Sequence, residues 1–302
     1  MNPLPRIPPA RCTGELSSSI HIDDYMAEPK LDGGRYMLYL EHDGTVHFYS
    51  RRDFPRIDKC DVVPHIARPY PQFRGTILDG EVVLPNQTQL SETTRILNMT
   101  PKKAVAEQEK RGKLTYHVFD ILFVRGDDVR WQPYHIRRTL LESVISGIAN
   151  PHIQIIPQSK DYAQLFTSII AQGGEGIVLK HIRSSYGMNW IKMKRRHDVS
   201  CVVSGFQEGQ GKYRNNLGSL RVSVWDGGKL VEVATCSGMT DAERSQIWRH
   251  KERFIGRVVD VFAQSITQDK RLRHPIFHRF RDDYAPSDCT MKKLLSDLQA
   301  RT

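Results

Sequence analysis

Lys30 lies in a setting that favours covalent chemistry over a simple surface charge. It lies in the stretch 27–40, AEPKLDGGRYMLYL, with Glu28 two residues before it and Arg35 five residues after it. A lysine amine attacks as a nucleophile only without its proton, and the ordinary pKa of lysine is about 10.4. Neighbouring cations and partial removal from water lower that pKa. Because K-x-D-G-x-R is a short pattern, the rest of the chain has to decide whether Lys30 is reactive.

Further segments place charged or aromatic residues between apolar ones. In chain order they are SRR (50–52), LDGEVV (78–83), VFDIL (118–122), EGIVLK (175–180) and WIKMK (190–194). Glu81 and Glu175 offer carboxylate oxygens. One or two carboxylates, completed by nucleotide phosphates and water, are a sufficient ligand set for Mg²⁺. The two glutamates are therefore candidate metal ligands.

The segment WIKMK has the period of a strand with two different faces. On a strand, Trp190, Lys192 and Lys194 share one face, while Ile191 and Met193 share the other. Two lysines on one side of a strand and apolar residues behind them suit a phosphate pocket backed by a core. Together with Arg35, these lysines could also supply the cations that favour a neutral Lys30 amine.

Six such segments in this order resemble the covalent nucleotidyltransferase superfamily, and within it the minimal ATP-dependent DNA ligases. The resemblance covers about residues 26–284 and implies an α+β fold. An ATP-grasp-like nucleotidyltransferase domain of antiparallel sheets and helices would be followed by a five-stranded OB-fold β-barrel. The implied chemistry has three steps: Lys30 takes AMP from ATP, AMP passes to the 5′-phosphate at a DNA nick, and the 3′-hydroxyl displaces AMP.

The resemblance also implies a role for each residue of the nucleotide site. Glu28 would recognise the adenine amino group and Phe119 would stack on the base, as aromatic rings do on bases generally. Glu81 would lie near the ribose and the metal, and Glu175 at the metal. Lys192, Lys194 and Arg35 would complete the ATP site. The expected cofactors are ATP and Mg²⁺, for which Mn²⁺ can substitute.

Other residues are expected to handle DNA and pyrophosphate. Arg51 would grip the 5′-phosphate of the nick, with Arg52 a near-equivalent candidate. Lys212 and Arg214 lie in a glycine-rich stretch that suggests a mobile, basic surface following the DNA backbone. Near the end, Arg281-Asp282-Asp283-Tyr284 resembles the final motif of the superfamily. Tyr284 stands where many relatives have lysine, so Arg281 is the candidate for orienting pyrophosphate.

The hydrophobic pattern predicts how these segments are positioned. Strand-like runs flank Asp43-Gly44 as a hairpin over 34–51, and further strands are expected at 75–85 and 114–124. A helix interrupted by Pro101 is expected between these two strands, followed by helices at 135–148 and 161–172. Beyond Arg196 come five strand-like runs, with a helix capped at Thr240 between the third and fourth. These patterns predict a lead-in at 1–25, an adenylation domain at 26–196 and an OB domain at 197–302.

Composition agrees with a nucleic-acid partner. The net charge of +10 favours a polyanion, with nucleic acid first and an anionic membrane surface second. No apolar run is long enough for a membrane span or a signal peptide, and the five cysteines are scattered. We therefore expect a cytoplasmic monomer acting on nicked duplex DNA. An RNA guanylyltransferase, an RNA ligase and a catalytically inactive OB-fold nucleic-acid-binding protein are the alternatives.

Overall fold

The computed structural model describes residues 2–12, 14–15, 22–51, 54–55, 57–85, 90–195, 197–267 and 269–299. The chain divides into two compact units, Met1–Met193 and Lys194–Thr302. In the described part of the chain, no helix is both long enough and apolar enough to cross a bilayer.

The first unit is a mixture of strands and helices. Its strands are β1 (Gly14–Glu15), β2 (Tyr25–Pro29), β3 (Gly34–Leu40), β4 (Val46–Ser50), β5 (Thr76–Val83), β6 (Thr115–Val124), β7 (Asp127–Asp128), β8 (Ile153–Ile155), β9 (Gly176–His181) and β10 (Trp190–Lys194). Its helices are α1 (Leu90–Leu97), α2 (Pro101–Arg111), α3 (Tyr134–Ile148) and α4 (Tyr162–Ala171).

These strands form two sheets, as the α+β prediction requires. The first sheet has the order β1-β10-β9-β2, and the second has the order β4-β3-β5-β6-β7 with β8 paired to β6. Helix α4 packs against the apolar side chains of the first sheet, among them Ile177 and Leu179. The largest core cluster includes residues of the second sheet and of helices α1, α2 and α3.

One local prediction in this unit needs correction, and one strand was not predicted. Pro101 does not interrupt a single helix, because α1 ends at Leu97 and Pro101 is the first residue of α2. Proline is well tolerated there, since the first-turn N–H has no partner within a helix. Strand β8 was not expected from the sequence. Its three residues are too few to show an alternating pattern, and they pair in parallel with Tyr116, His117 and Val118 of β6.

The second unit contains the remaining elements. Its strands are β11 (His197–Glu208), β12 (Leu217–Asp226), β13 (Lys229–Cys236), β14 (Val258–Ala263), β15 (Ser265–Ile266), β16 (Leu272–Arg273) and β17 (Ile276–Arg281). Its helices are α5 (Asp241–Arg249), α6 (Lys251–Phe254) and α7 (Met291–Gln299). The capping box expected at Thr240 is present at the start of α5, with Glu243 as the reciprocal partner.

The five long strands of the second unit pair in the order β13-β12-β11-β14-β17. This is the set of five runs expected from the sequence. The two outer strands approach each other at one end, where Ser237 and Ile276 form a parallel bridge. The Phe277 N–H donates to the Ser237 carbonyl at 2.7 Å. The sheet therefore curls back on itself at this end, as an OB-like domain requires.

Candidate active site

Strand alternation gives the first sheet one apolar face and one polar face. Ala27, Ile177, Leu179 and Ile191 are buried against α4. Side chains on a strand point alternately to opposite faces, so Glu28, Lys180, Trp190 and Lys192 lie on the other face. That face is turned toward the second sheet, because the Lys180 Nζ donates to the Phe119 carbonyl of β6 at 2.7 Å. The polar residues of both sheets therefore meet between them.

Lys30 lies directly after β2 at the edge of this space. Its backbone N–H donates to the Gly176 carbonyl at 2.8 Å, which fixes the chain at the start of β9. Its Nζ lies 2.5 Å from Oε2 of Glu175, and a quarter of the lysine side chain remains exposed. The structure therefore brings together Lys30 and Glu175, two residues that the sequence analysis assigned to the nucleotide site.

The glycine of K-x-D-G is explained by a close approach of two backbones. A Cβ on Gly33 would lie 2.1 Å from the carbonyl oxygen of Val82, a distance that no side chain tolerates. The same approach brings the Gly33 N–H within hydrogen-bonding reach of the Glu81 carboxylate. Gly33 therefore allows the turn after Lys30 to rest on β5, which carries Glu81.

Glu81 is a weaker acid than an ordinary carboxyl group. Burial raises the pKa of Glu81 to about 7, although Lys30 and Arg35 act in the opposite direction. Glu175 contacts Lys30, and Glu81 is close enough to Lys30 to feel its charge. Both carboxyl groups that are expected to bind a metal are therefore near this lysine. Oxygen donors of this kind fit Mg²⁺, which needs only one or two carboxylates when phosphates complete its shell.

Arg35 is more fully bonded than the sequence suggested. Its Nε and one terminal nitrogen donate to the two oxygens of Asp79 at 3.0 and 2.6 Å. The same terminal nitrogen donates to the Tyr186 hydroxyl at 3.3 Å, and the other donates to the Ala10 carbonyl. Burial lowers the pKa of Arg35, but the Asp79 carboxylate outweighs it and the pKa lies above its ordinary value.

Glu28 is the centre of a buried polar cluster. Its side chain is 2% exposed, and its Oε2 lies 2.8 Å from Lys180 Nζ. The Tyr134 hydroxyl of α3 donates to its Oε1. Lys180 lies close to three aromatic rings, with its Nζ 4.7 Å from the centroid of Phe119 and 4.6 Å from that of Trp190. Glu28 and Phe119, the two residues expected to contact adenine, are therefore joined through Lys180.

The predicted phosphate-binding residues of the first unit, apart from Arg35, lie just after β4 and on β10. Arg51 is exposed just after β4, and its backbone N–H donates to the Arg35 carbonyl at 3.0 Å. Arg52 lies outside the described residues. Lys192 and Lys194 lie on β10 as expected, with Ile191 and Met193 packed on the apolar side.

The remaining candidates belong to the second unit. Arg281 bonds both oxygens of Asp283, at 3.0 and 2.6 Å, and its guanidinium carbon lies 4.6 Å from the centre of the Tyr284 ring. Arg214 is exposed, and Lys212 is 3.7 Å from the carboxylate of Asp241. The stretch around these two cations is tied to α5, since the Tyr213 hydroxyl donates to Asp241 at 2.9 Å.

The second unit also brings together three side chains that could bind a metal, namely Asp198, Asp260 and His278. Asp260 already accepts hydrogen bonds from Ser200 at 2.7 Å and from Arg279 at 3.0 Å. Its charge is therefore balanced within the protein, and the cluster needs no ion.

The sequence analysis missed the residues that support the site. They are Ala10, Asp79, Asp120, Tyr134, Arg137, Lys180 and Tyr186. Two of them had a visible signal, because Asp120 and Lys180 interrupt apolar runs that form buried strands. A buried charge requires a partner. Asp120 is paired with Arg137 at 2.8 Å, and neither side chain is exposed.

Comparisons with known proteins agree with this geometry. The family model of the ATP-dependent DNA ligase domain matches residues 13–194, and that of the DNA ligase OB-like domain matches residues 208–281. The DNA ligase of Methanothrix thermoacetophila is 29% identical over 90% of this chain and 54% of its own length. That of Pyrobaculum calidifontis is 26% identical over 91% of this chain and 57% of its own length. The chain thus spans somewhat more than half the length of these relatives.

Solved structures show the same fold. A structure from an analysis of Lig E DNA ligases with a minimal DNA-binding scaffold has a TM-score of 0.64 and 20% identity, covering 91% of this chain and all of its own. A structure named Pmar-Lig_Pre has a TM-score of 0.65 and 22% identity, covering 91% of this chain and 68% of its own. With the ligase domain model matched across nearly the whole first unit, the chain belongs to the family of the ATP-dependent DNA ligase domain.

Proposed function

We propose that this chain is an ATP-dependent DNA ligase that seals nicks in duplex DNA through a lysyl-AMP on Lys30. The observation that carries the proposal is the placement of Lys30 at the edge of the space between the two sheets, with Glu175 at 2.5 Å and Glu81 nearby. The Glu175 carboxylate fixes the Lys30 amine in place, while the cations expected around it favour the neutral, nucleophilic form. The family and the relatives named DNA ligase support the same reaction.

The first step forms a bond between the Lys30 nitrogen and the α-phosphorus of ATP and breaks the bond to pyrophosphate. The ion pair with Glu175 fixes the position of Nζ, and its carboxylate is placed to receive the proton that the amine must lose. Glu81 and Glu175 are the residues that would hold Mg²⁺, with Mn²⁺ as a substitute. When bound, the metal would neutralise charge on the phosphates. Lys192 and Lys194 on β10 are proposed to contact the α-phosphate.

Recognition of adenine is proposed to rest on Glu28 and Phe119. A carboxylate accepts hydrogen bonds at both oxygens and has about four lone-pair positions. Lys180 and Tyr134 occupy one position on each oxygen of Glu28, which leaves acceptor capacity for an exocyclic amino group. A guanine carbonyl at that position would face the carboxylate without a proton between them. This favours ATP over GTP.

Arg35 is proposed to contribute positive charge rather than a grip on phosphate. A guanidinium has five N–H donors. Four of the five are directed at Asp79, Tyr186 and Ala10. The bidentate fork that makes arginine a strong phosphate ligand is thus already used within the protein.

The DNA contacts are proposed on both units. Arg51, exposed after β4, would bind the 5′-phosphate of the nick, and Arg52 is a second candidate for that contact. Lys212 and Arg214 would bind the backbone of the duplex, and Arg281 would orient pyrophosphate during the first step. We propose 26–196 as the adenylation domain and 197–302 as the OB domain of an enzyme that acts as a monomer.

The test is a three-part labelling experiment. The protein is incubated with Mg²⁺ and either ATP or GTP labelled at the α-phosphate, and then given a duplex with one nick that carries a 5′-phosphate. We expect ATP alone to label the protein, the label to move to the 5′-phosphate, and the nick to be sealed. Labelling by GTP without sealing would indicate a guanylyltransferase. Sealing of nicked RNA in preference to DNA would indicate an RNA ligase.

A further inference from the structure

The residues before β2 are packed into the first unit as part of its core. We use "N-terminal strap" for residues 2–12 together with β1. Leu4 and Ile7 of the strap are 4% and 7% exposed and belong to a cluster with residues of β3, β5 and β6. The Leu4 N–H donates to Glu41 Oε2 at 2.8 Å, and the Ile7 N–H donates to the Tyr39 hydroxyl at 3.0 Å. The strap is therefore anchored to the second sheet.

From this anchor the strap reaches Arg35. The Ala10 carbonyl accepts a hydrogen bond from the Arg35 guanidinium, and the Ala10 N–H donates to the Tyr186 hydroxyl at 3.2 Å. That hydroxyl in turn donates to Asp79 at 2.6 Å. Gly187 lies against Ala10, where a Cβ on the glycine would be 2.4 Å from the alanine Cβ. A single residue of the strap is thus bonded to the same cluster that holds Arg35.

The strap then continues onto the first sheet. Strand β1 pairs in parallel with the edge strand β10, and its residues Gly14 and Glu15 lie opposite Ile191 and Lys192. The strap therefore contacts both sheets between which Lys30 lies. The strap also contacts Arg35 and strand β10, which carries Lys192 and Lys194. These are the cations expected next to the phosphates of ATP.

We infer that the N-terminal strap is a positioning element of the nucleotide site, and that Tyr186 is the positioning residue through which it acts on Arg35. The inference rests on the proposed function, because it assigns the strap to the binding of ATP. Arg35 lies 5.1 Å from the centroid of Phe119 and 5.6 Å from that of Trp190. Displacing the strap would leave one Arg35 donor unpaired and free the guanidinium to move away from these rings.

If docking of the strap and binding of ATP stabilise each other, the coupling must act in both directions. Nucleotide should then hold the strap more tightly. The amide protons of Leu4, Ile7 and Ala10 report on this directly, since each donates to a side chain of the first unit. We expect their hydrogen exchange to slow about tenfold or more when ATP is added without metal, an effect of the size seen for typical coupling between sites.

Three substitutions separate positioning from folding. Tyr186→Phe removes the hydroxyl shared by Ala10, Arg35 and Asp79. Glu41→Ala removes the acceptor of the Leu4 N–H and the ion pair with Arg6, whereas Glu41→Gln keeps an acceptor for the Leu4 N–H. Tyr70→Phe is the matched control, because it also removes a buried tyrosine hydroxyl, which here is bonded to Ile66 and Asn150 rather than to the strap.

We expect Tyr186→Phe and Glu41→Ala to slow lysyl-AMP formation about tenfold, the loss of one well-formed hydrogen bond to a charged group. Glu41→Gln should recover most of the rate, and Tyr70→Phe should label at the wild-type rate. The inference would be contradicted if labelling slowed in all variants in proportion to the fall in their melting temperatures. It would also be contradicted if Glu41→Ala formed lysyl-AMP at the wild-type rate while its Leu4 and Ile7 amides exchanged freely. Absence of labelling in the wild type would refute the proposed function instead.

Discussion

Lys180 and Glu28 form a buried ion pair beside the proposed base pocket, and both side chains are 2% exposed. Such a pair contributes little net stability, but removal of one partner leaves an unpaired buried charge and costs about 3–5 kcal/mol. Its benefit is a fixed orientation for the Glu28 carboxylate. The same orientation is supported from α3 by the Tyr134 hydroxyl.

The first prediction concerns this hydroxyl. Tyr134→Phe should reduce the preference of self-labelling for ATP over GTP about tenfold, because the loss of a hydrogen bond to a charged group costs about 1.5–3 kcal/mol and Glu28 gains freedom to turn. The measurement is the rate of protein labelling with each nucleotide. An unchanged ratio with a uniform loss of rate would show that Tyr134 only stabilises the fold.

The second prediction concerns Arg51. Its side chain is exposed and its backbone N–H is bonded to β3, so Arg51→Ala should leave folding and lysyl-AMP formation intact. Transfer of AMP to the nick should slow about ten- to a hundredfold, as the loss of a charge-assisted contact worth about 1.5–3 kcal/mol implies. Single-turnover transfer from pre-labelled protein measures this step. Equal loss in both steps would contradict a role in binding the 5′-phosphate.

Among elements, β17 presents the final motif. Arg281, its last residue, is bonded to Asp283, and these bonds hold the pKa of the Asp283 carboxyl down at about 2. The neighbouring Arg279 on the same strand is bonded to Asp260 at 3.0 Å. The two arginines therefore offer a matched pair of substitutions, of which only Arg281 lies in the motif.

The third prediction uses this pair. Arg281→Ala should slow the reaction with ATP about tenfold or more while sparing the sealing of a nick that is already adenylated, because pyrophosphate takes no part in that step. Arg279→Ala should affect neither step beyond its effect on stability. The two rates are measured side by side with a melting curve for each variant. Parallel loss of both rates in Arg281→Ala would mean that the motif is only the end of a strand.

Helices and strands could be predicted where the signal is local and has one meaning. The two faces of β10 were predicted, because alternation along a strand is local and Ile191 and Met193 face the apolar side as expected. The start of α2 at Pro101 was not, since a proline gives the same local signal when it ends one helix and when it begins another.

At the candidate site, the contact between Lys30 and Glu175 could be expected from the sequence, whereas the residues that support the site could not. Lys30 and Glu175 could be identified from the order of short motifs. The bonds of Arg35 to Ala10 and Tyr186 join residues 25 and 151 positions apart, and nothing local signals such contacts. The strap looked like an extended lead-in because its prolines suppress any periodic pattern, although Leu4 and Ile7 are buried.

For the whole molecule, stability should depend on several half-buried histidines. Burial lowers the pKa of His65, His117 and His152 below the ordinary value of histidine. These imidazoles stay neutral in the folded chain where the unfolded chain already binds protons. At these three groups the unfolded state takes up more protons below about pH 6.5, so their contribution to stability is lost as the pH is lowered through that value. Glu81 acts in the opposite direction, because burial raises its pKa to about 7 and the folded chain holds that proton more tightly.

The fourth prediction follows from the direction in which these histidines change stability with pH. The urea midpoint is compared at about pH 5.5 and at about pH 7.5, on either side of the ordinary histidine pKa of about 6.5, in the wild type and in His65→Gln. The substitution should raise the midpoint at pH 5.5 relative to that at pH 7.5, because it removes a group that only the unfolded chain readily protonates, while glutamine can still donate to the Leu114 carbonyl, which His65 contacts at 2.9 Å. The same difference between the two midpoints in wild type and His65→Gln would contradict the assignment.

The central claim is that Lys30 carries AMP between ATP and DNA. The most direct measurement is peptide mapping by mass spectrometry after incubation with ATP and Mg²⁺, with Lys30→Arg as the control that keeps the charge next to Glu175. The account predicts one AMP on the peptide that contains Lys30, its loss when a nicked duplex is added, and no adduct in Lys30→Arg. An adduct on another lysine, such as Lys192, or full labelling of Lys30→Arg would contradict it.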